Sequence, residues 1–173
     1  NYNVGLFFYA GHGLQVNGVN YLIPVNADIT TEDEVQDEAI QAELILRKMQ
    51  SASNFLNIVI LDACRNNPFA RSFRSSTNGL ARMDAPKGTI ISYSTAPGST
   101  ASDGIGEHSP FAKHLLMNIT TGGIPVEEIF KRVRIGVDLE TKGKQTTWES
   151  SSLMGDFYFE KIPEDKKTLT GML

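Results

Sequence analysis

Three apolar runs of strand length, "VGLFFYA" (4–10), "LNIVILDA" (56–63) and "TIISYST" (89–95), constrain this chain more than any other feature. The first is a continuous apolar stretch bounded by glycine and the second is rich in β-branched residues, the pattern of strands covered on both faces. Between those two, from Glu38 to Ser51, Ala39, Ala42, Leu46 and Met49 recur at spacings of three and four, which predicts a helix. A strand, a crossover containing a helix and a second buried strand predict a parallel α/β sheet.

The remaining segments fill in this frame. Asn17-Gly18 is a hairpin turn signal between short alternating strands. Residues 65–88 contain Gly, Pro, Asn and Ser throughout with no period, and read as a long surface loop. Ser109-Pro110 has the form of an N-cap and first helical residue, opening a helix to about Ile119 that stops near Gly122-Gly123. Pro125 opens another, with Val126, Ile129, Phe130, Val133 and Val137 on one face until Gly143. "GDFYF" (155–159) reads as a short strand, and the tail after Pro163 as mobile. At 173 residues and 19.0 kDa the chain suits one domain, taken as 1–160 with a tail at 161–173.

Composition removes several functional classes. A net charge of −4 offers neither nucleic acid nor an anionic membrane surface favourable long-range attraction. The apolar runs fall far short of the roughly 20 residues needed to span a bilayer. A single cysteine excludes an internal disulfide and leaves a functional thiol open.

That cysteine, Cys64, ends the strand in "IVILDACRNNP" (58–68), and "FFYAGHG" (7–13) repeats the design with His12 between Gly11 and Gly13. In α/β sheets functional groups collect just beyond the carboxyl ends of the strands, where both residues fall. A cysteine nucleophile needs a nearby base or cation, and an imidazole suits both activation and later proton donation. The two glycines allow tight turns and close approach, and the Gly13 N–H is placed to meet a developing negative charge. A single cysteine is usually a small buried filler and a single histidine a surface or hydrogen-bonded residue. Their joint occurrence in matching strand-end contexts favours chemistry. His108 and His114 have no metal-ligand arrangement; the first lies in a polar loop facing solvent, the second on a helix at a surface or boundary position.

With these motifs the chain resembles the caspase-like cysteine peptidases (peptidase C14, clan CD), particularly the bacterial metacaspase and orthocaspase group. "FFYAGHG" matches the histidine motif and "IVILDACRNNPF" the cysteine motif, 52 positions apart from His12 to Cys64. A histidine about 50 residues upstream belongs to the caspase signature itself. "YLIPVNAD", "TIISYSTAPGSTASDG", "SPFAKHLL" and "WESSSLMGDFYF" extend the likeness from Tyr2 to about Phe159.

The resemblance implies a three-layer αβα sandwich with a mostly parallel central sheet, and a thiol endopeptidase acting on protein or peptide substrates. Cys64 would attack the scissile carbonyl, His12 would shuttle protons, and the N–H groups of Gly13 and Cys64 would form the oxyanion hole. No metal or other cofactor is needed for that chemistry. Calcium dependence occurs in some metacaspases, and "DEVQDEAI" (33–40) faintly resembles part of their acidic site, but no matching upstream carboxylate accompanies it. Asp62 stands where animal caspases carry glutamine. By position alone it is equally a strand-end acid bonded to a loop; the resemblance gives it, with Asp103, the role of receiving an arginine or lysine before the cleaved bond. The family also implies strand–helix units ahead of the histidine strand, and the chain starts inside that strand, so a missing N-terminal segment, cleaved and still bound or simply omitted, is expected as a partner. The alternative is a caspase-fold interaction module or an inactive zymogen-like fragment that keeps the dyad. A basic-specific peptidase could also cut its own loop at 65–88, with Arg71, Arg74, Arg82 and Lys87 available and Arg74 and Arg82 preferred.

Overall fold

A computed structural model describes residues 3–64, 76–77, 79–99, 101–102, 104 and 106–162. In chain order the elements are β1 (Val4–Val16), β2 (Val19–Leu22), α1 (Val35–Glu38), β3 (Ile40–Gln41), α2 (Ala42–Ser51), β4 (Leu56–Cys64), β5 (Ser76–Thr77), β6 (Thr89–Tyr93), α3 (Pro110–Ile119), α4 (Val126–Thr141) and β7 (Trp148–Ser151). They form one sheet of order β3-β2-β1-β4-β6-β7, with β5 paired to β1. Its centre is parallel, β1 on β4 and β4 on β6, and its margins are antiparallel.

Helices cover both faces, which makes the three layers. On one face α3 and α4 bury Phe111, Ile129, Phe130 and Val133 against Leu56, Ile58, Ile60 and Ile90. On the other, Ala42 and Leu46 of α2 join Val59, Leu61, Ile91 and Tyr93. β4 therefore alternates between two cores, and its apolar run is continuous because neither face meets water. Burying each such large side chain contributes about 1.5–3 kcal/mol over leaving it exposed.

β1 departs from the same expectation. Val4, Leu6 and Phe8 are 40%, 53% and 46% exposed, although register places Leu6 beside Ile58 and Phe8 beside Ile60. The helices that bury Ile58 and Ile60 leave these three side chains uncovered. The helix expected over 38–51 is likewise interrupted: Ala39 is extended (φ −116°, ψ 158°), and Ile40 and Gln41 pair with Leu22 and Tyr21. Sheet pairing there overrides the helical period. "GDFYF" is irregular rather than a strand; Phe157 and Phe159 meet edge to face at 5.2 Å and pack against the α3–α4 core. The last strand is instead the polar "WESS" of β7 on β6, whose composition gives no apolar alternation to find.

The described part of 65–88 is not a free loop either. Leu80 and Met83 are buried, Asn20 exchanges two hydrogen bonds with the Ala81 backbone (2.9 and 2.6 Å), and the Met83 N–H donates to the Tyr93 hydroxyl (3.1 Å). The Arg82–Met83 bond is thus held in a packed, paired backbone, and the expectation of self-cleavage after Arg82 does not suit this fold. Arg71 and Arg74 lie outside the described residues.

α3 begins as its sequence predicts, with the Ser109 hydroxyl accepting the Ala112 N–H (2.9 Å) and Pro110 at the first position. α4 buries all five predicted residues and ends on Lys142 in the left-handed region before Gly143. The helices meet where the His114 ring lies against Gly136, so closely that a Cβ there would overlap it. His114 Nε2 sits 2.8 Å and Lys113 Nζ 2.9 Å from the same Glu140 oxygen. The Lys113 hydrogen bond, with a smaller one from His114, lowers the Glu140 pKa, so whatever this cluster contributes is present above the usual glutamate range and lost as pH falls through the lowered value. Gly136→Ala should destabilise the protein by about 1–3 kcal/mol despite alanine's better helix propensity, because the ring must leave Glu140. In a His114→Ala background the same change should stabilise by up to about 1 kcal/mol. Denaturant unfolding of the four proteins reads this sign reversal, and equal effects in both backgrounds would refute it.

Candidate active site

His12 and Cys64 are Cα partners, the last of nine parallel pairs between β1 and β4. Neighbouring strands lie about 4.8 Å apart, so the two backbones stand side by side. The strand does not end at His12 as expected. β1 continues through Gly13 to Val16 and changes partner there: its pairing with β4 ends at His12, and from Gly13↔Leu22 onward it pairs antiparallel with β2. The histidine therefore sits at a fork in the sheet.

One side chain pins that fork. The Tyr9 hydroxyl lies 2.7 Å from the His12 carbonyl and 2.9 Å from that of Ile23, and it accepts the Ile23 N–H at 3.1 Å. The same N–H reaches the His12 carbonyl at 3.0 Å. The flanking glycines serve close approach rather than a turn, since neither has positive φ. A Cβ at Gly11 would lie 2.7 Å from the Tyr9 oxygen, and one at Gly13 would lie 3.0 Å from Leu80 and 3.1 Å from Ala63.

Asp62, beside Ala10 in register, is buried, and its Oδ2 accepts a 2.5 Å hydrogen bond from the Ser109 hydroxyl. Asp62 is thus bonded to the residue that caps α3, and it lines a cleft. That cleft, ≈ 290 Å³, brings together Gly11, His12, Asp62, Glu107, His108 and Ser109. Glu107 and His108 line this cleft while staying exposed, as expected for His108 in a polar loop; that they border the strand ends was signalled only by their place just before the N-cap of a helix. Asp103 lies outside the described residues, as does the side chain of Cys64. Nearby, Gln145 is buried and spans the loop before Asp103, donating to the Ser94 carbonyl (2.8 Å) and accepting the Ser102 N–H (3.0 Å).

In the acidic segment 33–40, the Glu34 carboxylate accepts the N–H groups of Thr30 (2.7 Å) and Thr31 (3.0 Å), and those bonds lower its pKa. This carboxylate therefore organises its own turn. Among the described residues no three His, Cys, Asp or Glu side chains converge as metal ligands, and no helix is long and apolar enough to cross a membrane.

Tyr9→Phe should cost about 1 kcal/mol of stability, with faster amide exchange at Ile23, since a partly buried N–H loses one of two acceptors. Exchange at Ile23 unchanged beside a wild-type unfolding midpoint would show that the hydroxyl does not hold the fork.

Comparison with known proteins agrees with this architecture. A family model described as the caspase domain, Peptidase_C14, matches residues 1–158. The chain is also similar to mucosa-associated lymphoid tissue lymphoma translocation protein 1 of Homo sapiens, 26% identical over 160 residues, covering 86% of this chain and 18% of that protein. The Mus musculus homolog is 27% identical over 113 residues, covering 65% and 13%. The chain spans less than a fifth of the length of these curated relatives.

Proposed function

The chain belongs to the caspase-domain peptidase family, Peptidase_C14, and we propose that it is a cysteine endopeptidase cutting after arginine or lysine. The observation that carries this reading is the pairing of His12 with Cys64 at the carboxyl end of the parallel strands, beside a cleft in which Asp62 is buried. The basic specificity in this proposal rests on the resemblance of the quoted motifs, with the acid at position 62, to the metacaspase and orthocaspase group.

In this mechanism the Cys64 thiolate forms a bond to the scissile carbonyl carbon, and the N–H groups of Gly13 and Cys64 receive the resulting oxyanion. As the C–N bond breaks, His12 gives its proton to the leaving amine. Water then attacks the thioester, His12 takes its proton, and the thiolate leaves, restoring the enzyme. Asp62 and Asp103 complement the guanidinium or ammonium of the preceding residue with charge-assisted hydrogen bonds. No step of this mechanism uses a metal ion.

A panel of fluorogenic peptides differing only before the cleaved bond tests the proposal. Arginine should exceed aspartate by at least about 30-fold, the equivalent of about 2 kcal/mol, because like charges would face each other in the cleft. Asp62→Asn should lower cleavage after arginine about 10- to 100-fold, and Cys64→Ala should lower every rate at least about 100-fold. Wild-type turnover by Cys64→Ala, or faster cleavage after aspartate, refutes the assignment.

A further inference from the structure

His12 lines a second cleft, ≈ 400 Å³, walled by the segment that follows β2, whereas Asp62 lies on β4; in the sheet order β2 and β4 flank β1 on different sides. Its walls are Tyr9 to Gly11 of β1 and the Ile23, Pro24, Val25 and Ala27 segment that follows β2, and none of its lining residues other than His12 is ionisable near neutral pH. Two features single it out. The Tyr9 hydroxyl bonds both the His12 carbonyl and the Ile23 backbone, so this wall is held in fixed relation to the imidazole-bearing residue. Val25 is 108% exposed, an apolar β-branched side chain at the cleft with nothing over it.

Given the proposed peptidase reaction, on which this step rests, the two clefts must hold different parts of one substrate. The residue before the scissile bond places its basic side chain in the acidic cleft. The leaving amine must lie against His12, which protonates it, and the chain beyond that nitrogen runs away from the acidic side. The space it enters is the apolar cleft. We propose that this cleft is the leaving-group subsite and that it selects an apolar residue immediately after the cleaved bond, with Val25 and Pro24 as its contact surface. Specificity then has two signs across His12: charge on the acyl side and apolar burial on the amine side.

Internally quenched peptides with arginine before the bond and leucine, glycine, aspartate or lysine after it read this directly. Leucine should exceed aspartate in kcat/KM by about tenfold, within the range of one apolar contact in a pocket. Val25→Asp should shift the ranking toward lysine about 3- to 10-fold, and Val25→Lys should shift it the same amount toward aspartate. An exposed side chain tolerates both changes, which the unfolding midpoints verify. Cleavage after arginine with a flat ranking, or a ranking unmoved by both substitutions, overturns this inference alone. Absence of any Cys64-dependent cleavage overturns the peptidase reading together with it.

Discussion

The parallel register between β1 and β4 is the constraint on which the rest of the structure depends. Its nine pairs run from Val4↔Leu56 to His12↔Cys64, and the last pair brings together two residues 52 positions apart in sequence. Chemistry does not hold that register. It is held by the alternation of β4, whose Ile58 and Ile60 enter the α3–α4 core while Val59 and Leu61 enter the α2 core. A slip of one residue would turn every side chain of the slipped strand to the opposite face, and Asp62 would leave the cleft with the others. Ordinary hydrophobic burial thus specifies the geometry that the proposed reaction uses.

Around this pair, single residues serve the fold and the site at once. Tyr9 closes the fork where β1 exchanges β4 for β2, and in doing so fixes the backbone of His12. Ser109 caps α3 and at the same time donates to Asp62, so the helix that packs the core also orients the buried acid. Gln145 ties Ser94 to Ser102 and shapes the loop that leads to Asp103. The bonds from Tyr9 to Ile23, Ser109 to Asp62 and Gln145 to Ser94 join segments distant in sequence, which makes the site a product of the whole sheet rather than of one loop.

The sequence was legible where a local signal had no competitor. β4 and β6 were evident as apolar runs, α3 from Ser109-Pro110, α4 from its five-residue stripe, and the hairpin from Asn17-Gly18, both of which adopt positive φ. It misled where tertiary pairing outweighed a local pattern: Ala39 is extended because Ile40 and Gln41 join β2, and the aromatic "GDFYF" packs as a loop while polar "WESS" forms the strand. Of the site, the motif residues His12 and Cys64 could be paired by context, and Asp62 by resemblance. Ser109 was legible as an N-cap but not as the donor to Asp62, and the Tyr9 bonds to His12 and Ile23 and the place of Glu107 and His108 at the cleft were not legible, because these contacts join segments that no periodicity relates.

Whether β1 and β4 assemble His12 and Cys64 into one reactive site is read by intact mass measurement after incubation with a peptidyl-arginine chloromethyl ketone. A single adduct mapping to Cys64 is expected, formed at least about 100-fold more slowly in His12→Ala, because thiolate formation depends on the neighbouring imidazole. No adduct on the folded protein, or labelling of Cys64 at the same rate without His12, would contradict it.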